Sequence, residues 1–256
     1  MVVDDWIAGL QARHRSALTN AEFLKAVRAL SVRYVERRPE LPGRSALDSA
    51  GKRAAFAAFY APLHFLTTRE IVRALRPPPI AALVDLGCGT GGASAAWALE
   101  HSPPPALFGA DTHAWAVEEA RRTWRELGLR GEARRTDLGR ALARLGRRRA
   151  QGIVAGWAVN ELSKAARDAL LPRLLAGAEH GNVVLVIEPI AGAATPWWHE
   201  WAGAFTAAGG RADRWKFDVE LPPALRALDE AAGFRREELS AKSLWIDQVR
   251  QRSETL

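Results

Sequence analysis

The sequence predicts an α/β fold, a doubly wound sheet of seven strands behind a helical N-terminal segment, on three observations. Residues 1–76 carry apolar residues only at helical spacing. From residue 77 onward, short aliphatic runs alternate with amphipathic helical patterns. Between the first run and its helix lies a glycine-rich turn. Strands that alternate with helices at this spacing build βαβ units and an open parallel sheet.

In the N-terminal segment Trp6 and Leu10, then Phe23, Val27, Leu30 and Tyr34, fall on helix faces. Thr19 and Asn20 before Ala21-Glu22 read as a helix start, and Pro39, Pro42 and Gly43 as a break. A further helical run over 54–75 contains Pro62, which predicts a kink or a split into two helices. Pro77-Pro78-Pro79 closes the segment, giving a helical cap over 1–76 and a second domain over 77–256.

Ile80–Leu86, Ala106–Ala110, Gly152–Ala155 and Asn182–Ile187 are compact, aliphatic and bounded by Gly, Pro or Asn, as buried parallel strands are. Glu132–Arg135 is the third strand by position. Helices are expected over 92–100, 114–127, 138–145 and 164–178. At the end, 222–233 reads as a helix, and 234–239 with 243–249 as a closing antiparallel hairpin. That leaves 190–221, rich in Trp, as an insertion. Its Trp197, Trp201 and Phe205 fit one helix face, and its aromatics mixed with bases also fit a stacking surface.

Composition bounds the function. With 48% hydrophobic and 25% charged residues the chain is of ordinary globular type. A single cysteine, Cys88, excludes an internal disulfide and any multi-cysteine metal site, so no metal is expected. The stretch Leu86–Leu99 is too rich in Gly and Ala for a membrane span, and the acidic start is no secretory signal, so no membrane association and a cytoplasmic location are expected. The net charge of +7 is unevenly spread. Residues 80–118 hold no Lys or Arg, whereas 119–150 hold eleven Arg against four acids, a surface that could attract a polyanion. Arg outnumbers Lys 31 to 5, which a GC-rich genome would also produce.

The most informative stretch is Val84-Asp85-Leu86-Gly87-Cys88-Gly89-Thr90-Gly91-Gly92. Glycines let the backbone turn sharply and let a ligand approach it closely. The spacing Gly87-x-Gly89-x-x-Gly92 by itself also fits a dinucleotide loop. The full string resembles the first motif of class I S-adenosylmethionine-dependent methyltransferases. Phe108-Gly109-Ala110-Asp111 and Thr136-Asp137-Leu138 match that family's acidic positions after the second and third strands. The resemblance implies S-adenosylmethionine as cofactor, held by Asp85, Gly87, Cys88, Gly89, Gly91, Asp111, Thr112, Asp137, Leu138 and Trp157. Asp111 would bond the ribose hydroxyls, since one carboxylate accepts from both.

More distantly, Asn160-Glu161-Leu162 and Leu185-Val186-Ile187-Glu188-Pro189 resemble methyltransferase-like proteins associated with the small ribosomal subunit. This chain lacks the cysteine cluster usual there, so no metal role carries over.

Methyl transfer is an in-line displacement that needs positioning more than a universal catalytic residue. Strand carboxyl ends face the ligand crevice in an open sheet. That places Trp157, Asn160 and Glu188 beside donor and acceptor. Asn160, Glu188 and His199 are the catalytic candidates, with His64 also to be tested as a base. Glu188 also fits a structural acid, and Glu161 a helix-start acid. No cysteine is free for attack on a pyrimidine, and no Asp/Asn-Pro-Pro-Tyr/Phe string occurs. The acceptor is expected to be a small molecule, in a Trp-lined pocket closed by the N-terminal helices and residues 190–221. RNA is the alternative substrate, and a non-catalytic cofactor-binding assembly protein the third possibility.

Overall fold

The computed structural model describes residues 2–35, 47–144, 151–192 and 195–247. The expected break at Pro39, Pro42 and Gly43, the arginines at 147–149 and residues 248–249 lie outside them.

Helices α1 (Val2–Arg15) and α2 (Asn20–Val35) open the chain. Thr19 caps α2 reciprocally: its hydroxyl accepts the Glu22 N–H at 3.3 Å, while Glu22 accepts the Thr19 N–H at 2.8 Å. The long helical run divides at Pro62, as expected. It forms α3 (Ala50–Ala55), one π-helical turn (Phe56–Tyr60) and α4 (Ala61–Leu75). Proline offers no N–H to the carbonyl four residues back and its ring crowds that carbonyl, and the widened turn gives it room.

The sheet comprises β1 (Ala82–Leu86), β2 (Ala106–Asp111), β3 (Gly131–Arg135), β4 (Gln151–Gly156), β5 (Val183–Glu188), β6 (Arg211–Asp218) and β7 (Glu238–Asp247), in the order β3-β2-β1-β4-β5-β7-β6. Between the strands run α5 (Gly92–Ala98), α6 (Ala114–Glu126), α7 (Leu138–Arg144), α8 (Lys164–Glu179), α9 (Trp198–Ala207) and α10 (Pro223–Ala232). The first five strands are parallel, and β7 is antiparallel to both β5 and β6.

Strand residues alternate between two cores, as the period of two requires. Leu83, Val154, Leu185 and Ile187 face a core shared with the N-terminal helices, α5, α6 and α10. Val84, Ile153, Val184 and Val186 face the other, with Leu170 and Leu174 of α8 and Trp201 and Phe205 of α9. Trp6, Ile7, Phe23 and Val27 are buried in the first core, so α1 and α2 are packed elements of the body.

Two expectations are corrected. The closing hairpin over 234–239 and 243–249 does not form: 238–247 is one strand, β7, and its hairpin-like partner is β6. Residues 240–242 fall in the turn of that expected hairpin, yet Ala241 and Lys242 are buried in mid-strand. Lys242 lies over the Trp198 ring, 4.4 Å from its centroid, and donates to the Thr195 hydroxyl. Residues 190–221, expected as an irregular insertion, contain α9 and the edge strand β6. Trp197, Trp201 and Phe205 do form a buried stripe, with the Trp197 and Trp201 rings 4.8 Å apart. No helix among the described residues is long and apolar enough to cross a membrane.

Candidate active site

At the carboxyl ends of β1, β2 and β4 a cleft of about 230 Å³ opens. The loop after β1 forms its floor. The Gly87 and Cys88 N–H groups both donate to the Ala110 carbonyl, at 2.8 and 3.0 Å, which bends the loop toward the end of β2. Asp111 then clasps it: one carboxylate oxygen accepts the Gly89 N–H at 2.9 Å and the other the His113 N–H at 2.7 Å. Gly87 has φ +73°, and a Cβ there would stand 2.5 Å from the Ala158 Cβ, so only glycine lets β4's loop close against it. Gly91, at φ +80°, caps α5 and offers its carbonyl to the Trp124 indole N–H at 3.0 Å.

Asp85 is 1% exposed. One of its oxygens accepts from the Ser94 hydroxyl at 2.6 Å and more weakly from the Ser94 N–H; the other, Oδ1, has no protein partner. Burial pushes its carboxyl up to about 7, against the lowering effect of the Ser94 hydrogen bonds. Burial, with Asp85 and Asp111 nearby, likewise pushes the Cys88 thiol well up, so it stays protonated.

The opposite wall is aromatic. Trp157 follows β4 with φ +56°, a left-handed conformation costly for a bulky residue, and its N–H donates to the Ile187 carbonyl at 2.7 Å. Its indole lies flat against the His64 imidazole, centroids 3.8 Å apart and planes 5° from parallel. Phe56, at the start of the π turn, meets His64 edge-on at 6.0 Å. Leu47, Ala61, Glu161 and Leu162 complete this side.

Of the residues singled out in the sequence, Asp85, Gly87, Cys88, Gly89, Asp111, Thr112, Leu138 and Trp157 line this one cleft. Gly91 stands behind it. Asp137 is exposed and caps α7 through the Arg140 N–H at 2.9 Å. Asn160 and Glu188 come together, but behind the wall: fully buried Glu188 accepts the Asn160 backbone N–H at 3.0 Å. His199 is exposed on α9, away from the lining. The expected closure by residues 190–221 is therefore not seen among the described residues, and from the described part of the N-terminal segment Leu47, Phe56, Ala61 and His64 line the cleft. Sequence reading missed Phe56 and His113 as lining residues, and it left Glu161 as a helix-start acid. The π turn that aims Phe56 inward has no signal except Pro62.

The floor suits S-adenosylmethionine. The partnerless Asp85 Oδ1 offers an anion to an ammonium group, and Asp111 at the end of β2 offers acceptors to vicinal hydroxyls.

Residues 66–154 match the family model for the methyltransferase small domain. No curated protein matches the sequence. A solved structure provisionally assigned as an O-methyltransferase from Nostoc punctiforme PCC 73102 shares 12% identity over 95% of this chain and 72% of its own, at a TM-score of 0.53. Magnesium protoporphyrin IX methyltransferase from Synechocystis PCC 6803, with its methyl donor bound, shares 13% identity over 90% and 98%, at 0.46. A provisionally assigned RNA methyltransferase from Pyrococcus horikoshii shares 13% over 89% and 98%, also at 0.46. The family match and the Rossmann-like fold support a class I S-adenosylmethionine-dependent methyltransferase.

Proposed function

We propose that this methyltransferase acts on a small, planar acceptor. The observation that carries this reading is the cleft lining: among the described residues it includes no Lys or Arg, and its acceptor side is built of Phe56, His64 and Trp157. An enzyme acting on RNA draws much of its affinity from phosphate neutralisation along the path to the site. Several arginines of 119–150 are already engaged. Arg121 donates to the Ala133 carbonyl and Glu118, Arg134 to Glu132, and Arg135 to the Thr112 carbonyl.

In this reading Asp85 Oδ1 takes the methionine ammonium group, Asp111 the ribose hydroxyls, and Leu138 lies toward the adenine. Bound S-adenosylmethionine supplies an electrophilic methyl group. The chain's own part is to hold the acceptor against Trp157, to keep water out with Phe56, Leu47 and Leu162, and to fix the wall through Glu188 and Asn160.

Calorimetry with S-adenosylhomocysteine should show binding, and filter binding to total RNA at two salt concentrations should show only weak retention. Submicromolar RNA binding near physiological salt, lost steeply as salt rises, would overturn the small-acceptor reading in favour of RNA.

A further inference from the structure

Resting on the small planar acceptor proposed above, we infer that His64 is the general base of the reaction and that its stack on Trp157 aims it. Three independent features converge on this imidazole. The π turn offsets α4 from α3, so that Phe56 and His64, eight residues apart, both line the cleft. Trp157 holds a left-handed backbone conformation, costing on the order of 1–3 kcal/mol, a strain that recurs at functional sites. The rings lie 3.8 Å apart and 5° from parallel, which fixes the plane of the imidazole against the indole face at the cleft wall.

Position and chemistry agree. Trp157 follows the carboxyl end of β4, where the crevice of an open sheet receives the reacting groups. Phe56 sits over the cofactor loop: its ring edge lies 3.7 Å from the point a Cβ on Gly89 would occupy. His64 thus stands beside that loop, with Phe56 at its edge and Trp157 on its face. The other titratable groups lining the cleft are Asp85 and Asp111 at the strand ends, the Cys88 thiol that burial keeps protonated, His113 at the start of α6, and Glu161 in the short 3-10 turn after β4. Asp85 and Asp111 are committed to the floor, and Glu161 stands exposed at the rim. With three carboxylates and no cation in the lining, the cleft disfavours an anionic acceptor. It fits a neutral or cationic ring bearing a weakly acidic O–H or N–H.

In the transfer, a lone pair on the acceptor O or N forms the bond to the methyl carbon. The carbon–sulfur bond breaks with its electron pair kept by sulfur, and the acceptor's proton passes to a ring nitrogen of His64, which later returns it to water. An imidazole suits this step because its ordinary pKa lies near neutrality.

The fluorescent phenol 7-hydroxycoumarin, titrated into the protein saturated with S-adenosylhomocysteine, tests the inference without a known acceptor. Absorbance reports its phenolate. In the wild type the bound probe should ionise at a pH lower by about one than in His64→Phe, since a charge gained within a few ångströms shifts ionisation by that order. His64→Phe keeps a ring against Trp157, and His64→Gln serves as a second variant that lacks the base. Trp157→Ala should weaken binding at least about tenfold, the order of one lost stacking contact. Equal ionisation in the wild type and both His64 variants would overturn His64 as base while leaving the planar-acceptor reading intact. Absence of probe binding to the wild-type complex, or undiminished binding in Trp157→Ala, would overturn that reading and the base with it.

Discussion

Glu188 on β5 accepts the backbone N–H of Asn160 at 3.0 Å, so a fully buried carboxylate sets the turn that follows β4. Its register partner on β7 is Lys242, 2% exposed, whose ammonium burial makes easier to deprotonate and the Glu188 charge makes harder. Removing one charge of such a pair leaves the other stranded. Glu188→Ala should therefore cost about 3–5 kcal/mol in denaturant unfolding. Asn160→Ala retains the backbone N–H and should cost less than about 1 kcal/mol. Equal losses would show that the anchor is not the backbone contact.

Asp85 predicts opposite pH trends for stability and for cofactor binding. Its carboxyl, at about 7 when folded against an ordinary 3.8, holds its proton more tightly in the folded state. Its contribution to ligand-free stability is thus fullest below 3.8 and is lost as pH rises toward 7. Affinity for the cationic donor needs the ionised form, so it should rise through that same window, by up to about tenfold per pH unit, and level off above. Calorimetry between roughly pH 5 and 8.5 should show the rise in wild type and none in Asp85→Asn.

Gly87→Ala meets two obstacles at once, a positive φ and a Cβ 2.5 Å from that of Ala158. The expected cost is about 1–3 kcal/mol in stability, with loss of most cofactor affinity as the loop is displaced. Thermal unfolding with and without S-adenosylhomocysteine measures both. A variant that is still stabilised by the ligand as the wild type is would mean the loop is not where the cofactor binds.

Asp111→Ala removes the clasp on Gly89 and His113 together with the acceptors for the ribose. Charge-assisted hydrogen bonds contribute about 1.5–3 kcal/mol each, so S-adenosylhomocysteine should bind roughly ten- to a hundredfold more weakly. Unchanged affinity would place the ribose elsewhere.

Most of the fold was legible because its signals are local. The aliphatic runs of β1, β2, β4 and β5 and the glycine loop announce themselves without tertiary information. The last third was not, because its signals are relational. Lys242 belongs in a strand only when Glu188, Thr195 and Trp198 surround it, and β6 is a half-exposed edge whose Arg, Asp and Lys alternate with Trp215 and Phe217. The site divides in the same way. The floor, Asp85 to Gly89 with Asp111, follows from a contiguous motif. The acceptor wall joins residues 56, 64 and 157, which no spacing connects. Asn160 and Glu188 were read as neighbours of the chemistry from their strand ends, but at the end of a strand alternate residues face opposite ways, and Glu188 turns inward.

The π turn at Phe56–Tyr60 also makes the wall tunable by length alone. A π turn holds one residue more than an α turn, so deleting a single residue there would restore an unbroken α-helical repeat with α3 and α4 still in register, and would draw in the wall around Phe56. A chain shortened by that one residue would keep its cofactor loop untouched while presenting a differently shaped mouth. Substrate choice and donor binding could therefore diverge independently, through a change that alters no side chain lining the cleft.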